Sequence, residues 1–252
     1  MTYEIRPANP RAAAFTRRGR PGGVNGIHQI QIHATRGPVK MDQQVQATEN
    51  WFAQQPDRGG WGSSADFVVG PDRRRGGQIV IAQFGDWMRT FGSWSAGYGG
   101  GGAATEYGAA EVGVAIEVAQ PDNDTPFTPE TVDAVVWLCG QINDALEDAG
   151  GIPIPAVHLG FWDQRRARPV PRGYIGHDEL ANGRKLGKSD PGKLWDWSAF
   201  IDAVARETDV RPPPPPLTRV QHTMAAWTGR AEAVPVGWRG DAAEYQLFVK
   251  EK

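Results

Sequence analysis

Alternation of apolar and polar residues predicts most of the strands in this chain. In "NGIHQIQIH", Ile30 and Ile32 fall on one face, while the polar residues fall on the other and end with His33. Two apolar runs, "SADFVVG" and "QIVIAQF", are separated by a turn rich in proline, aspartate and glycine, which is typical of a hairpin. "EVGVAIEV" repeats the alternation, and a further strand is predicted near "RGYIG".

Apolar residues at helical spacing predict three helices between and after these strands. "MDQQVQATENWFAQQP" stops before Pro56, and "TPETVDAVVWLCGQINDALEDAGG" begins with Thr128 as its cap and ends at Gly150. The third helix is "DWSAFIDAVARE". Strands and helices that alternate in this way predict the α/β class, with a mixed central β-sheet flanked by helices on its faces.

Proline content marks a domain boundary near the C-terminal end. Residues 1–24 are basic and lack periodicity, so we expect an irregular N-terminal arm, followed by one main domain over 25–210. Residues 211–216, "RPPPPP", are expected to form a stiff polyproline linker. The segment 217–252 is too short to fold readily alone, and its role is unknown.

Composition narrows the possible chemistry. The net charge of -2 over 252 residues gives no general attraction to nucleic acid or to an acidic membrane. We see neither a signal peptide nor a membrane span. Cys139 is the single cysteine, which excludes a cysteine-rich zinc site, so a metal would need His and carboxylate ligands. The run "GYGGGG" lacks the ending of a phosphate-binding loop, and no organic cofactor is expected.

Three side chains are candidate ligands of a hydrolytic metal ion. His33 closes a strand, His177 follows another, and Asp190 lies thirteen residues later in "KSDPG". In an extended segment Lys188 would point the same way as Asp190. Spacing alone leaves plainer alternatives open: a polar strand residue at 33, a solvated cation at 188, and an ordinary Asp-Pro helix start at 190.

Five blocks in a fixed order resemble a known enzyme family. They are "IQIHATRG", "SADFVVGPD", "SWSAG", "VGVAIEV" and "GHDELANGRKLGKSDPGKLWDW", and they span roughly residues 25 to 205. This order is similar to the zinc-dependent N-acetylmuramoyl-L-alanine amidases of the type 2 amidase and peptidoglycan recognition protein family. The resemblance implies that family's fold. It also implies Zn²⁺ bound by His33, His177 and Asp190, with Lys188 stabilising the oxyanion.

The sequence departs from the family pattern at three positions. Many members have a histidine where this chain has Ser95, and some have a catalytic tyrosine where it has Ala65. Other members use a glutamate as the base; the literal match here is Ala115, and the glutamate falls two residues later at Glu117. Two residues along a strand keep the same face, so Glu117 is our candidate for the base. Its alternative role is to orient a zinc-bound histidine.

The resemblance implies an enzyme that cuts the amide bond between N-acetylmuramic acid and L-alanine in peptidoglycan. Trp94 and Tyr98 are candidates for stacking on the sugar or peptide. Two alternatives stay open: a recognition module that binds without cutting, and a zinc endopeptidase acting within the stem peptide. We expect a monomeric phage endolysin of an actinobacterial host, held in the host cytoplasm until lysis and then acting on the cell wall.

Overall fold

Six strands form one mixed sheet in the computed structural model, which describes residues 3–9, 20, 22–54, 65–89, 109–163 and 169–209. The strands are β1 (Glu4–Pro7), β2 (Gln29–Ala34), β3 (Phe67–Asp72), β4 (Gln78–Gln83), β5 (Gly113–Val118) and β6 (Gly173–Gly176). Their order across the sheet is β1-β4-β3-β5-β2-β6. The β3–β4 hairpin is antiparallel, and the other neighbours are parallel. This topology confirms the predicted mixed sheet.

Five α-helices lie in the described part of the chain. They are α1 (Gln44–Gln54), α2 (Ala109–Val112), α3 (Pro129–Asp148), α4 (Ala181–Lys185) and α5 (Trp197–Asp209). The N-terminus of α3 is capped as predicted, because the Thr128 hydroxyl accepts a hydrogen bond from the backbone N–H of Thr131 at 3.3 Å. Beyond its end, Gly150 has φ 73°, a left-handed conformation that suits glycine. None of the helices in the described ranges is both long and apolar enough to span a membrane.

Helices cover both faces of the sheet. On one face, Ile32 of β2 and Ile116 of β5 belong to the main core, together with residues of α3 and α5 such as Leu138 and Phe200. On the other face, α1 contributes Val45 to a second buried cluster with residues of β3, β4 and β5. The polar residues of β2 alternate with its isoleucines and therefore point toward the α1 side, as the alternation predicted.

The prediction of an irregular N-terminal arm is wrong for Glu4–Pro7, which form the edge strand β1. Apolar and polar residues do alternate from Tyr3 to Arg6, but four residues are too few to predict a strand, and the strand is only partly buried. Tyr3 and Ile5 pack against the main core, and side-chain ion pairs also help to hold the strand. The guanidinium of Arg6 donates to both carboxylate oxygens of Glu49 on α1, at 2.8 and 2.7 Å, and to Asp72 at 3.2 Å.

The last two predicted segments, and much of the first, lie outside the described residues. These are the proline-rich linker at 211–216 and the tail at 217–252, together with most of the arm between β1 and residue 20. Their predicted roles as spacer and appendage stay predictions.

We predict that Glu49→Ala lowers the free energy of unfolding by about 3 kcal/mol, because it removes one of the two buried carboxylates that Arg6 and Arg74 share and leaves them only Asp72. Glu49 is buried and accepts hydrogen bonds from Arg6 and Arg74. Urea denaturation measures the change. The control is Arg75→Ala, which removes an exposed ion pair with Glu4 and should cost less than about 1 kcal/mol. Equal losses in the two variants would contradict the prediction.

Candidate active site

The carboxyl ends of three neighbouring parallel strands bring candidate residues to one edge of the sheet. His33 is the penultimate residue of β2, Glu117 is the penultimate residue of β5, and His177 directly follows β6. In the strand register His33 lies opposite Glu117, and Ile32 lies opposite Gly176. Because adjacent strands are about 4.8 Å apart, the three side chains begin from neighbouring positions. Crevices at such strand ends are where open α/β sheets commonly bind ligands.

The three predicted metal ligands meet at this edge. The Nδ1 atoms of His33 and His177 are 3.1 Å apart. The Oδ2 atom of Asp190 lies 3.0 Å from Nδ1 of His177 and 3.5 Å from Nδ1 of His33. All three residues are buried. The structure therefore brings together one atom from β2, one from the 3-10 helix after β6, and one from the loop that precedes α5.

These distances fit a tetrahedral zinc ion. Zinc bonds of about 2.0–2.1 Å place neighbouring tetrahedral ligand atoms about 3.3 Å apart, and the three observed separations bracket that value. Two imidazoles and one carboxylate are also a donor set that zinc accepts. Three protein ligands leave a fourth position for water or substrate, which is the arrangement of catalytic zinc sites.

The protonation states of His33 and Asp190 in the folded protein also favour a metal site. Burial and the neighbouring His177 lower the pKa of His33 to about 4. Burial opposes ionisation of Asp190, but hydrogen bonds from His177 and His33 outweigh it and hold the pKa of this carboxyl well below its usual range. At neutral pH the site therefore offers a neutral imidazole at His33 and an ionised carboxylate, the forms that bind metal ions.

Glu117 and Lys188 lie beside the three candidate ligands. Burial, followed by the negative charge of Asp190, raises the pKa of Glu117 to about 8, while the positive charges of Lys188 and Arg36 oppose the shift. Lys188 is therefore close enough to act on the Glu117 carboxyl, and its own side chain is exposed. The sheet edge thus carries a carboxyl group and an ammonium group next to a candidate metal centre.

Two positions where the sequence departs from the family pattern lie away from this edge. Ala115, the literal match to the family glutamate, is buried with Ala65 and Val45 in the core cluster on the α1 side. Ala65 holds the position of the tyrosine found in some members, and it is fully buried. Glu117 is the glutamate level with His33, because the shift of two residues along β5 moves it to the carboxyl end of the strand.

A family model described as N-acetylmuramoyl-L-alanine amidase matches residues 23–193. The chain belongs to this family. The matched range includes all five residues at the sheet edge, so this amidase carries its candidate site within the family domain. None of the curated protein sequences matches the amidase significantly.

Three solved structures are similar to the amidase, each at low identity. PlyL is 15% identical, with a TM-score of 0.45 over 81% of this chain and 97% of that one. The PlyG catalytic domain in solution is 15% identical, with a TM-score of 0.45 over 84% and 99%. A selenomethionine derivative of AmpD is 14% identical, with a TM-score of 0.44 over 80% and 93%.

Sequence reasoning missed two residues that brace the segment of the amidase that carries His177. Glu179 accepts a hydrogen bond from the backbone N–H of Gly176 at 2.8 Å and lies 2.8 Å from Nε2 of His158. The imidazole of His158 in turn stacks on Trp197, with ring centroids 4.1 Å apart. These contacts secure the 3-10 helix that begins with His177. No motif links His158 to Glu179, so no sequence signal could have found the pair.

Three predicted positions lie outside the described residues. They are Trp94 and Tyr98, the candidates for stacking on substrate, and Ser95 between them. Their roles stay predictions.

We predict that His33 titrates near pH 4 in the metal-free protein. Between its ordinary pKa of about 6.5 and this lower value, the unfolded chain binds a proton that the folded protein does not. This group's contribution to the free energy of unfolding should therefore fall as the pH falls through that window. NMR titration of the imidazole measures the midpoint, with His33→Gln to assign the signal. A midpoint near 6.5 would refute the prediction.

Proposed function

We propose that this amidase cleaves the bond between the lactyl group of N-acetylmuramic acid and the L-alanine of the stem peptide, using a zinc ion held by His33, His177 and Asp190. The observation that carries the proposal is the convergence of three buried donor atoms, each within 3.5 Å of the other two, in a chain of the amidase family. Family membership supports a peptidoglycan amidase, and the donor set supports the metal.

A bound zinc ion would supply a Lewis acid for the carbonyl oxygen of the scissile amide and would make a nearby water more acidic. Glu117 is the proposed general base, because its carboxyl lies beside the ligands at the carboxyl end of β5. Positive charge at the three ligands would lower its pKa from the value near 8 that burial and Asp190 impose, and so make the carboxylate available near neutral pH. Glu117 would accept a proton from water and pass it to the leaving amine.

Lys188 is proposed to stabilise negative charge on the carbonyl oxygen during the reaction. Its positive charge acts on both His33 and Glu117, so it lies near both groups. The group is exposed, which leaves it accessible to a substrate, and exclusion of water by the bound substrate would strengthen its attraction for an oxyanion.

For the biological setting we infer a phage lysis enzyme that accumulates in the host cytoplasm and reaches the cell wall when the membrane is breached. This inference rests on the sequence resemblance and on the wall-directed chemistry of the family.

Expression in a bacterial host should cause lysis when the membrane is permeabilised and leave cells intact otherwise. Lysis without permeabilisation would contradict it.

We predict that purified peptidoglycan treated with the enzyme releases intact stem peptides with new L-alanine amino termini, and that a chelator abolishes the release until zinc is restored. Mass spectrometry of the digest identifies the product. Shortened peptides would instead indicate an endopeptidase, and the absence of any product from zinc-loaded enzyme would indicate a recognition module. His177→Ala is the matched control, because it removes a ligand while leaving the sheet intact.

We also predict that Glu117→Gln and Lys188→Ala each lower kcat by about 100-fold or more, because each removes a group that acts on the reacting atoms. Zinc affinity should stay close to that of the wild type. Glu130→Gln and Lys185→Ala are controls, since both alter exposed residues, the first at the start of α3 and the second at the end of α4. Full activity in Glu117→Gln would exclude Glu117 as the base.

A further inference from the structure

Arg36 connects the end of β2 to the loop that carries Asp190. Its guanidinium donates from Nη1 to the hydroxyl of Ser189 at 2.7 Å. It also donates from Nη2 to the carbonyl oxygen of Ser189 at 2.9 Å and to that of Pro191 at 3.1 Å. One side chain thus binds the carbonyl groups of the two residues that flank Asp190.

The position of the guanidinium is itself fixed. Nε of Arg36 donates to the side-chain oxygen of Gln120 at 3.3 Å, and the backbone N–H of Arg36 donates to the Gln120 carbonyl at 2.7 Å. The amide of Gln120 donates to the carbonyl of Thr125 at 2.8 Å, which anchors it in the loop after β5. Arg36 has φ 44°, a left-handed conformation that is uncommon for a residue other than glycine, and it faces the Asp190 loop in this conformation.

Gly192 has no side chain and so leaves space for the contact between Arg36 and the Ser189 carbonyl. A Cβ atom at this position would lie 2.6 Å from the Ser189 carbonyl oxygen and 2.9 Å from Nη2 of Arg36. The residue also has φ 78°, which a side chain would strain. The loop backbone therefore closes around the guanidinium at a point where only glycine fits.

The acceptors of Arg36 are neutral oxygens, so the contact is a geometric clamp rather than an ion pair. A guanidinium presents several N–H groups in one plane and can reach two carbonyls and a hydroxyl together, whereas an ammonium is a compact point charge. The backbone carbonyl of Asp190 itself, which Arg36 does not contact, accepts a hydrogen bond from the backbone N–H of Asp178 at 2.9 Å. The peptide groups on both sides of the Asp190 side chain are therefore held.

We propose that Arg36 is a positioning residue for the metal centre. By fixing the Ser189–Pro191 segment it sets the Asp190 carboxylate against the two histidines, and so raises the affinity of the site for zinc. Arg36 acts through Asp190. This inference rests on the proposed zinc site and adds to it a residue with no ligand atom of its own.

The test is the zinc dissociation constant of the full chain, measured by competition with a chromophoric chelator. Arg36→Ala should weaken zinc binding by about 10- to 100-fold, the range found when groups that support metal ligands are removed. Arg36→Lys should recover only part of the loss, since one ammonium cannot replace the planar contact with both carbonyls. Arg75→Ala, which removes an exposed arginine at the hairpin turn, should bind zinc like the wild type.

A spectroscopic signature separates positioning from general stability. With Co²⁺ in place of zinc, the visible absorption of Arg36→Ala should differ from that of the wild type at saturation, because the carboxylate no longer meets the metal in the same geometry. Excess zinc should restore most of kcat. If Arg36→Ala does not fold, Arg36→Lys keeps the aliphatic stem and the positive charge, disturbs the loop less severely, and should weaken zinc binding in the same direction.

The outcomes distinguish this inference from the function on which it rests. Zinc affinity that is lost in His33→Ala but unchanged in Arg36→Ala and Arg36→Lys would overturn the role of Arg36 alone. Zinc affinity that is unchanged in His33→Ala would overturn the proposed metal site, and the role of Arg36 with it.

Discussion

Parallel pairing of β5, β2 and β6 is the constraint on which the candidate site depends. Because these strands run in the same direction and lie side by side, their carboxyl ends share one edge, and the register sets His33 level with Glu117. The 3-10 helix after β6 then places His177 at that level. A slip of one residue in β2 would turn His33 toward the α3 core and destroy the site. The isoleucines that alternate with the polar residues of β2 prevent such a slip, because they are fully buried against that core.

The fold was largely predictable because its elements carry strong local patterns. Alternation located β2 and β5, a turn located the β3–β4 hairpin, and the apolar spacing and Thr128 cap located α3. The edge strand β1 was missed because its alternation covers only Tyr3 to Arg6, and because the ion pairs of Arg6 with Glu49 and Asp72 join positions that are distant in the chain. Apolar patterning thus predicts elements with a long buried face, and it misses a short strand that is held partly by ion pairs.

The candidate site was predictable only at the residues to which the family resemblance assigns a role. His33, His177 and Asp190 were expected together, and the structure brings their donor atoms together. The bracing groups were not expected, since each acts on backbone atoms: Arg36 on two carbonyls and Glu179 on the N–H of Gly176. Any donor or acceptor of suitable shape can bind a peptide group, so such contacts leave no distinctive pair of residue types in the sequence. Three-dimensional geometry is needed to identify them.

The ligands of the candidate site come from distant parts of the chain, and this separation has a consequence for stability. His33 and His177 are 144 positions apart, so their donor atoms meet only after the sheet has formed. An ion that binds this folded arrangement and not the unfolded chain adds its binding free energy to the stability of the fold. The chain has one cysteine and therefore no internal disulfide to join such distant segments. The ion required for chemistry would then also serve as the protein's long-range cross-link, joining an early strand to its last loop before α5.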